Sequence, residues 1–363
     1  MKWALSVVVV AVLILLVYLL IYRKESVFEK PEIDLNNVPK LVMAFYHGWY
    51  GSPEGPTKKW VHWNHWIMDI KTGKIVKYHN PEKFVDEGRR DIGAVHYPLL
   101  GPYDVRSLET LKAHFKWAED AGINVFVFDW FGPPGGYIDK NFDIMLKAAT
   151  ILNSSLRFAI LYDGYEYRKA PPEEVINELY YIIRNYGSHP KYLRLQEFPV
   201  TFIYASQYFP CNTWAKIIRE LRGKGLKALF LCDAVSKADE YLKVFDGIYT
   251  YSPAGVLNAG QDLLQLYSRM MYEAKRYRAL CALTVLPGYD DTAVRIPGFI
   301  IERKNGETYN YTWSVVLELN PRWVMICSWN EWHEGTEIEP SLEYGYKYLE
   351  LTKVHVSTFK KKP

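Results

Sequence analysis

The stretch RWVMICSWNEWHEGTEIEP, residues 322–340, changes abruptly from apolar to polar and aromatic. Its first part, 323–327, is an uncharged apolar run of strand length without alternation, which is typical of a strand covered on both faces. Ser328 ends this run, and two tryptophans, an asparagine, a histidine and two glutamates follow directly. A buried parallel strand that ends in charged and aromatic side chains indicates the active-site end of an α/β barrel.

Two carboxylates of this stretch, Glu331 and Glu334, are the candidate catalytic residues. If the chain makes a helical turn after the strand, their Cβ atoms lie on one face, roughly 5–6 Å apart. Retaining glycosidases hold two carboxyl groups at about 5–5.5 Å, and inverting ones hold them at roughly 6.5–9.5 Å. Close like charges also raise one pKa, so that one group keeps its proton while the other is ionised. The neighbouring indoles suit a sugar, whose C–H faces stack on aromatic rings.

Two other interpretations of this stretch stay open. The glutamates could be solvated in a surface loop, although such loops rarely carry two tryptophans among their acids. A zinc site fits less well, because Gly-Thr-Glu follows His333-Glu334 and the second histidine of an H-E-x-x-H motif is absent. The four cysteines lack metal-binding spacing, and three lie in apolar runs, so we expect core residues. We expect neither a metal nor another cofactor.

Short apolar runs recur along the chain and predict eight strands. These runs are 41–46, 124–128, 157–162, 200–204, 227–232, 247–251, 279–286 and 323–327. Helical patterns lie between most of them, at 107–121, 173–186, 213–221 and 262–277. Strands that alternate with helices in this way predict a parallel sheet closed into a (β/α)8 TIM barrel.

Polar and aromatic residues follow the predicted strands at the ends where barrel enzymes place their chemistry. They are Tyr46-His47, Asp129-Trp130, Asp163, Tyr204, Asp233, Tyr251 and Tyr289-Asp290-Asp291. The loop after the first strand runs from residue 47 to about 106, and loops of such length are usually functional. Its tryptophans and histidines fit either one wall of a cleft or a small core beneath the loop, with Trp66 and Tyr97 favoured for the core.

The first residues predict a membrane anchor. Residues 4–22 carry no charge and are long enough to span a bilayer, and no clear small-x-small cleavage site precedes the next charged residues. We expect an uncleaved anchor at 1–24, a stalk at 25–39, a catalytic domain at 40–355 and a basic tail at 356–363. A buried core helix is the alternative for the apolar run. The net charge of +3 gives no reason to expect nucleic-acid binding.

Five motifs together resemble glycoside hydrolase family 99, the endo-α-1,2-mannosidases and endo-α-1,2-mannanases. They are AFYHGWYG (44–51), HWNH (62–65), IGAVHYP (92–98), PGYDDT (287–292) with Arg295, and SWNEWHEGTEIEP (328–340). The resemblance runs from about residue 41 to 351. It implies a (β/α)8 barrel that cleaves internal α-1,2-mannosidic bonds with retention and without a metal. It also implies, for a eukaryotic chain, a Golgi type II membrane protein that trims N-glycans, and for a prokaryotic one an enzyme at the cell exterior.

The resemblance also implies roles for individual residues. Glu331 would deprotonate the sugar's own 2-hydroxyl, which closes onto C1 as a 1,2-anhydro sugar. Glu334 would protonate the leaving oxygen and then activate water. The expected glycan contacts are Tyr46, His62, His65, Tyr103, Trp130, Asp163, Tyr251, Asp290, Arg295, Trp329 and Asn330. The sequence departs from the family pattern at His47-Gly48 and at the acidic Asp129, which leaves glucose or mannose open for the −2 subsite.

We therefore expect a membrane-anchored, monomeric, retaining endo-α-1,2-mannosidase with a glycan substrate and no nucleic-acid partner. Two alternatives stay open. One is a barrel protein of polysaccharide assembly that acts on another α-linked glycan. The other is a non-catalytic glycan-binding protein, against which the intact pair Glu331 and Glu334 speaks.

Overall fold

The computed structural model describes residues 30–164 and 169–362, and its centre is a closed barrel of eight parallel strands. In chain order these strands are β1 (Leu41–Tyr46), β2 (Val125–Trp130), β3 (Arg157–Tyr162), β4 (Phe198–Ile203), β5 (Leu229–Cys232), β6 (Gly247–Tyr249), β7 (Leu280–Val285) and β8 (Trp323–Ile326). Each strand pairs with the next one along the chain, and β8 pairs with β1. The predicted (β/α)8 barrel is thus confirmed.

A helix follows each barrel strand and packs on the outside of the barrel. The helices are α1 (Leu108–Asp120), α2 (Tyr137–Ile151), α3 (Pro172–Asn185), α4 (Cys211–Gly223), α5 (Ala238–Tyr241), α6 (Leu263–Arg276), α7 (Glu307–Leu319) and α8 (Lys347–Lys361). An additional short helix, Ala254–Asn258, precedes α6, whose start is capped by the side chain of Asp262. Helices α2, α5, α7 and α8 lie outside the predicted helical stretches.

Successive side chains of each strand point alternately into the barrel and toward the helices. On β1, Met43 and Phe45 belong to the cluster that fills the barrel, whereas Tyr46 belongs to the cluster beneath the helices. Two positions beyond Phe45, His47 therefore lies at the mouth of the barrel. Asp129 on β2 follows the same alternation and lines the same pocket at the mouth.

The loops after β1 and β7 join above the carboxyl ends of the strands. Trp66–Asp69 pairs with Lys74–Tyr78 in an antiparallel hairpin, and Arg295–Ile296 adds to it as a parallel strand. Shorter pairs, Phe84–Asp86 with Arg89–Arg90 and Tyr289–Asp290 with Ile300–Ile301, complete this cover. Away from it, Arg194–Leu195 forms an antiparallel hairpin with the start of β4. The two loops thus build walls above the barrel mouth from residues more than 200 positions apart.

The N-terminal end of the described chain packs against the opposite end of the barrel. The Nζ of Lys30 donates hydrogen bonds to the carbonyls of Leu242 and, at 2.6 Å, Phe245, and Val38 is buried. The predicted anchor, 1–24, lies outside the described residues, and in 30–164 and 169–362 no helix is long and apolar enough to cross a membrane. At the other terminus, α8 continues past the predicted domain boundary at 355 and buries Phe359.

Candidate active site

Glu331 and Glu334 lie on a tight turn directly after β8. A 3-10 turn, Trp332–Glu334, carries the second glutamate, and Glu331 caps it by accepting a hydrogen bond from the backbone N–H of His333 at 3.1 Å. The hydroxyl of Ser328 in turn accepts one from the backbone N–H of Glu331 at 2.7 Å. These bonds fix both carboxylates at the mouth of the barrel, where they line the same cavities.

Three adjoining cavities meet at Glu334 and form one cleft. The central pocket, about 150 Å³, is lined by His47, Trp49, Asp129, Leu161, Asp163, Tyr204, Tyr251, Arg295, Glu331 and Glu334. The aromatic pocket, about 380 Å³, is lined by Trp49, His62, His65, Trp66, Met68, Phe131, Val294, Arg295, Glu331, His333 and Glu334. The outer depression, about 780 Å³, adjoins Glu334 through Tyr204, Tyr251, Tyr289 and Phe299, among others. A chain-like ligand can therefore extend to either side of Glu334.

Glu334 has the environment of a carboxylic acid that keeps its proton near neutral pH. Burial, and then the nearby charge of Glu331, raise its pKa to about 7, while Arg295 opposes this rise. The Nη1 of Arg295 lies 3.3 Å from the Oε1 of Glu334, and the hydroxyl of Tyr289 lies 3.4 Å from the same oxygen. A group with such a pKa can donate a proton in one step and accept it back in the next.

Glu331 is 3% exposed and lies beside a histidine. The Nδ1 of His47 is 2.9 Å from the Oε2 of Glu331 and 3.6 Å from the Oδ2 of Asp129. Burial alone would lower the pKa of His47, but these two carboxylates raise it to about 10. The two glutamates thus have different neighbours, His47 at Glu331 and an arginine shared with Asp291 at Glu334.

Five of the predicted glycan contacts line the cleft, and they are His62, His65, Asp163, Tyr251 and Arg295. Three others lie beneath the helices instead. Tyr46 bonds the Nδ1 of His114 at 3.0 Å, Trp130 donates to Asp139 at 3.0 Å, and the fully buried Trp329 packs against His114. Tyr46 and Trp130 occupy strand positions that face away from the barrel axis, and Trp329 lies in the turn after β8, where it too packs beneath the helices.

The other three predicted contacts, Asn330, Tyr103 and Asp290, form hydrogen bonds with loops and turns around the cleft. Asn330 accepts a hydrogen bond from the backbone N–H of His47 at 2.7 Å and donates to the hydroxyl of Tyr103 at 3.1 Å. Tyr103 itself donates to Glu339 at 2.7 Å. Asp290 accepts hydrogen bonds from the backbone and hydroxyl of Thr292 within its own turn. These three side chains therefore hold loops in place.

Several cleft residues were not among the predicted contacts, namely His47, Trp49, Asp129, Phe131, Tyr204 and His333. For some of them, the alternation of side chains along the strands indicates that they face the barrel mouth. His47 and Asp129 share the alternation of the barrel-filling residues on their strands, and Tyr204 follows β4 in the same way. Trp66, favoured for the core, is 39% exposed and lines the aromatic pocket, whereas Tyr97 is buried as expected.

Three histidines of the aromatic pocket come close enough to hold a metal ion. His62, His65 and His333 each offer a ring nitrogen, and these atoms lie within 4.8 Å of one another. However, the rings of His65 and His333 stack at 4.2 Å with only 15° between their planes, so their nitrogen lone pairs do not converge. Zinc needs convergent nitrogens at about 2.0–2.1 Å. Burial lowers the pKa of His62 to about 3 and of His65 to about 4, and the uncharged rings extend an aromatic wall.

A (β/α)8 barrel with two carboxylates in an aromatic cleft, one poised as an acid, defines a glycoside hydrolase. The chain belongs to glycosyl hydrolase family 99, whose sequence profile matches residues 37–359, and the resemblance inferred from the motifs is confirmed. Over 336 residues it is 30% identical to the glycoprotein endo-alpha-1,2-mannosidase of Rattus norvegicus, with 86% of this chain and 71% of that protein covered. For the Xenopus laevis enzyme of the same name, the identity is 30% and the coverage is 87% and 71%. The GH99 endo-alpha-mannosidase structure from Bacteroides thetaiotaomicron matches with a TM-score of 0.76 and 27% identity, covering 88% of this chain and 97% of that one.

Proposed function

We propose that this protein is a retaining endo-glycosidase that cleaves internal α-1,2-mannosidic bonds. The observation that carries the proposal is the unequal environment of two carboxylates in one cleft, Glu331 beside His47 and Glu334 with a pKa raised to about 7. Cavities on both sides of Glu334 leave room for glycan residues before and after the scissile bond, as endo-cleavage requires. The activity named for the relatives in rat and frog supports the linkage.

In the first step, Glu331 takes the proton of the sugar's 2-hydroxyl, and O2 attacks C1 as the glycosidic bond breaks. Glu334 gives its proton to the departing oxygen. In the second step, water attacks C1 of the 1,2-anhydro sugar. Glu334 takes a proton from this water while Glu331 returns its proton to O2. Two inversions at C1 give net retention, and each carboxylate ends in its starting state.

We also propose that residues 4–22 anchor the protein and that the catalytic domain lies outside the cytoplasm. Only residues 23–29 separate this run from Lys30, which bonds the barrel at the end opposite the cleft. The cleft would then open away from the membrane, toward a soluble glycan. Protease digestion of intact cells or sealed vesicles carrying a C-terminally tagged chain tests this orientation, because a tag on the cytoplasmic side would contradict it.

The activity is tested by incubating the purified protein with two oligosaccharides, one ending in Glc-α-1,3-Man-α-1,2-Man and one in Man-α-1,3-Man-α-1,2-Man. Mass spectrometry should show release of a disaccharide, and NMR should show that its first-formed anomer is α. Release of monosaccharides, or a β anomer, would overturn the proposal.

Matched variants separate an enzyme from a glycan-binding protein. Glu334→Gln should slow hydrolysis by a factor of about 10²–10⁴, which is typical for loss of a positioned acid, and should still bind glycan. Glu343→Gln changes a glutamate outside the cleft cavities that bonds Arg89 on the surface, and it should behave as the native protein does. If the native protein and Glu334→Gln bind glycan equally and neither cleaves it, the protein is a binding protein.

A further inference from the structure

We propose that His47 and Asp129 form a positioning pair that keeps Glu331 ionised and oriented as the base. This proposal rests on the proposed function, which gives Glu331 that role. In the structure the two residues lie beside the glutamate, since the Nδ1 of His47 lies 3.6 Å from Asp129 and 2.9 Å from Glu331.

Hydrogen bonds with Asn330 fix the backbone at His47. Asn330 bonds both the N–H of His47, at 2.7 Å, and its carbonyl, at 3.0 Å. The next residue, Gly48, lies so close to the Phe128 ring that an added Cβ would be only 2.0 Å from it. A side chain at position 48 would therefore displace either the Phe128 ring or the backbone next to His47.

Charged and titratable groups surround the imidazole from several elements. Glu331 reaches it from the turn after β8 and Asp129 from β2, while the hydroxyl of Tyr251 lies 3.3 Å from its Nε2. Asp163, Arg295 and Glu334 line the same central pocket, and the ring of Trp49 lies at 4.6 Å from the imidazole. Because two carboxylates lie beside Nδ1 and outweigh the effect of burial, the imidazolium form is favoured.

An imidazolium at position 47 determines where the proton of the carboxylate pair resides. Its charge stabilises Glu331 as the anion, and therefore the single proton stays on Glu334. His47 keeps its own proton throughout the reaction, so it is a positioning residue and not a second acid. Asp129 approaches the imidazole through Oδ2 at 3.6 Å, and its Oδ1 is buried without a hydrogen-bond partner in the described part of the chain.

The decisive test is the pH profile of His47→Asn, which removes the charge but keeps an N–H near the position of Nδ1. A disaccharide fluoride substrate is used because its leaving group needs little help from Glu334, so that the acidic limb of kcat/KM reports the ionisation of Glu331. We expect this limb to move up by one pH unit or more, and Asp129→Asn to move it in the same direction by less. His189→Asn, at a histidine near the other end of the barrel, is the matched control and should leave the profile unchanged.

If the acidic limb of kcat/KM keeps its position in His47→Asn, whatever the activity of the variant, the proposal is overturned and His47 is a packing residue.

A second experiment does not need hydrolysis. In the native protein labelled at histidine nitrogen, the resonance that disappears in His47→Asn should be that of an imidazolium at pH 8.5, and Asp129→Asn should lower its pKa. A neutral His47 at that pH would refute the pair even if the protein cleaves glycans. A charged His47 in a protein without hydrolysis would instead refute only the proposed function. If His47→Asn does not fold, His47→Gln serves in both experiments.

Discussion

Arg295 contacts Glu334 with a nitrogen that it shares with two other groups. Its Nη1 lies 3.3 Å from the Oε1 of Glu334, 2.9 Å from the Oδ2 of Asp291 and 2.7 Å from the hydroxyl of Tyr289. Since Asp291 takes the shorter contact, only part of the arginine's charge acts on Glu334. Burial therefore prevails, and the pKa of Glu334 rises to about 7 despite a nearby cation.

The first prediction concerns the basic limb of the pH profile. Activity on a natural glycan should fall above about pH 7, because Glu334 then loses the proton that the leaving oxygen needs. Arg295→Gln removes a positive charge that favours the anion, so the pKa of Glu334 should rise and the limb should move to higher pH. Steady-state kinetics between pH 5 and 9 measure this, with the surface variant Arg89→Gln as the control. A limb that stays or moves down would contradict the assignment of the acid to Glu334.

The second prediction concerns stability. A carboxyl whose pKa rises from 4.5 in the unfolded chain to about 7 in the folded one binds more protons in the folded state between these values. The free energy of unfolding therefore falls as the pH rises through this range, by about 2–3 kcal/mol once the 19% exposure of the side chain is allowed for. Because glutamine does not titrate, the Glu334→Gln variant should not lose stability over this pH range.

Urea unfolding at several pH values tests the second prediction. Glu334→Gln should exceed the native protein in stability at pH 8, and the difference should disappear near pH 4. Glu343→Gln, in which a more exposed carboxyl is replaced, should show no such trend. A difference that is constant across pH would mean that the amide simply packs better.

The sequence predicted the barrel and the position of Glu331 and Glu334 after its last strand. It did not show which residues of each strand face the barrel axis. Runs such as 41–46 and 323–327 are apolar on both faces, so their pattern locates a strand without saying which residues face the barrel axis. For that reason the sequence placed Tyr46 and Trp130 near the site without showing that they face the helices, and Trp329 lies in the turn after β8, beyond the strand alternation. The aromatic pocket contains His62, from the long loop after β1, and His333, from the turn after β8. These residues are far apart in the chain, so no local sequence pattern indicates that their side chains come together.

The third prediction follows from the placement of Tyr46 and Trp130 beneath the helices. Tyr46→Phe removes a hydrogen bond to His114 and should lower the free energy of unfolding by about 1 kcal/mol while KM stays unchanged. Tyr251→Phe, in the central pocket, should instead raise KM or lower kcat with less effect on stability. Thermal unfolding and kinetics on the same preparations compare them. A rise in KM for Tyr46→Phe would place that side chain in contact with substrate.

The fourth prediction concerns metals at His62, His65 and His333. Because the rings lie side by side, hydrolysis should be unchanged after dialysis against a chelator, and added zinc should bind weakly if at all. Calorimetry with zinc, run on the native protein and on His65→Gln, measures this. Tight binding that is lost in His65→Gln would show that the rings can rotate to converge. Inhibition, and not activation, is then expected, since the ion would occupy the aromatic pocket.

The last prediction concerns the buried pair behind the site. Glu339 and His114 are fully buried and 2.9 Å apart, and the other oxygen of Glu339 accepts from Tyr103, which supports Asn330 and through it the backbone of His47. Glu339 bonds two buried groups, His114 and Tyr103, and leaving a buried polar group unsatisfied typically costs about 1–3 kcal/mol, whereas an exposed bridge such as Lys116–Asp120 contributes about 0–1 kcal/mol. Glu339→Leu should therefore be strongly destabilised and Asp120→Leu hardly at all.

Tyr103→Phe separates support of the site from stability of the fold. It removes the hydroxyl that joins Glu339 to Asn330 but leaves the buried pair intact. We expect kcat to fall several-fold with little change in KM, because His47 and Glu331 lose their fixed position while the glycan still binds. Denaturant unfolding should show a loss of only about 1–2 kcal/mol for this variant. If kcat stays at the native value, the chain of bonds from Glu339 to His47 stabilises the barrel without positioning the base.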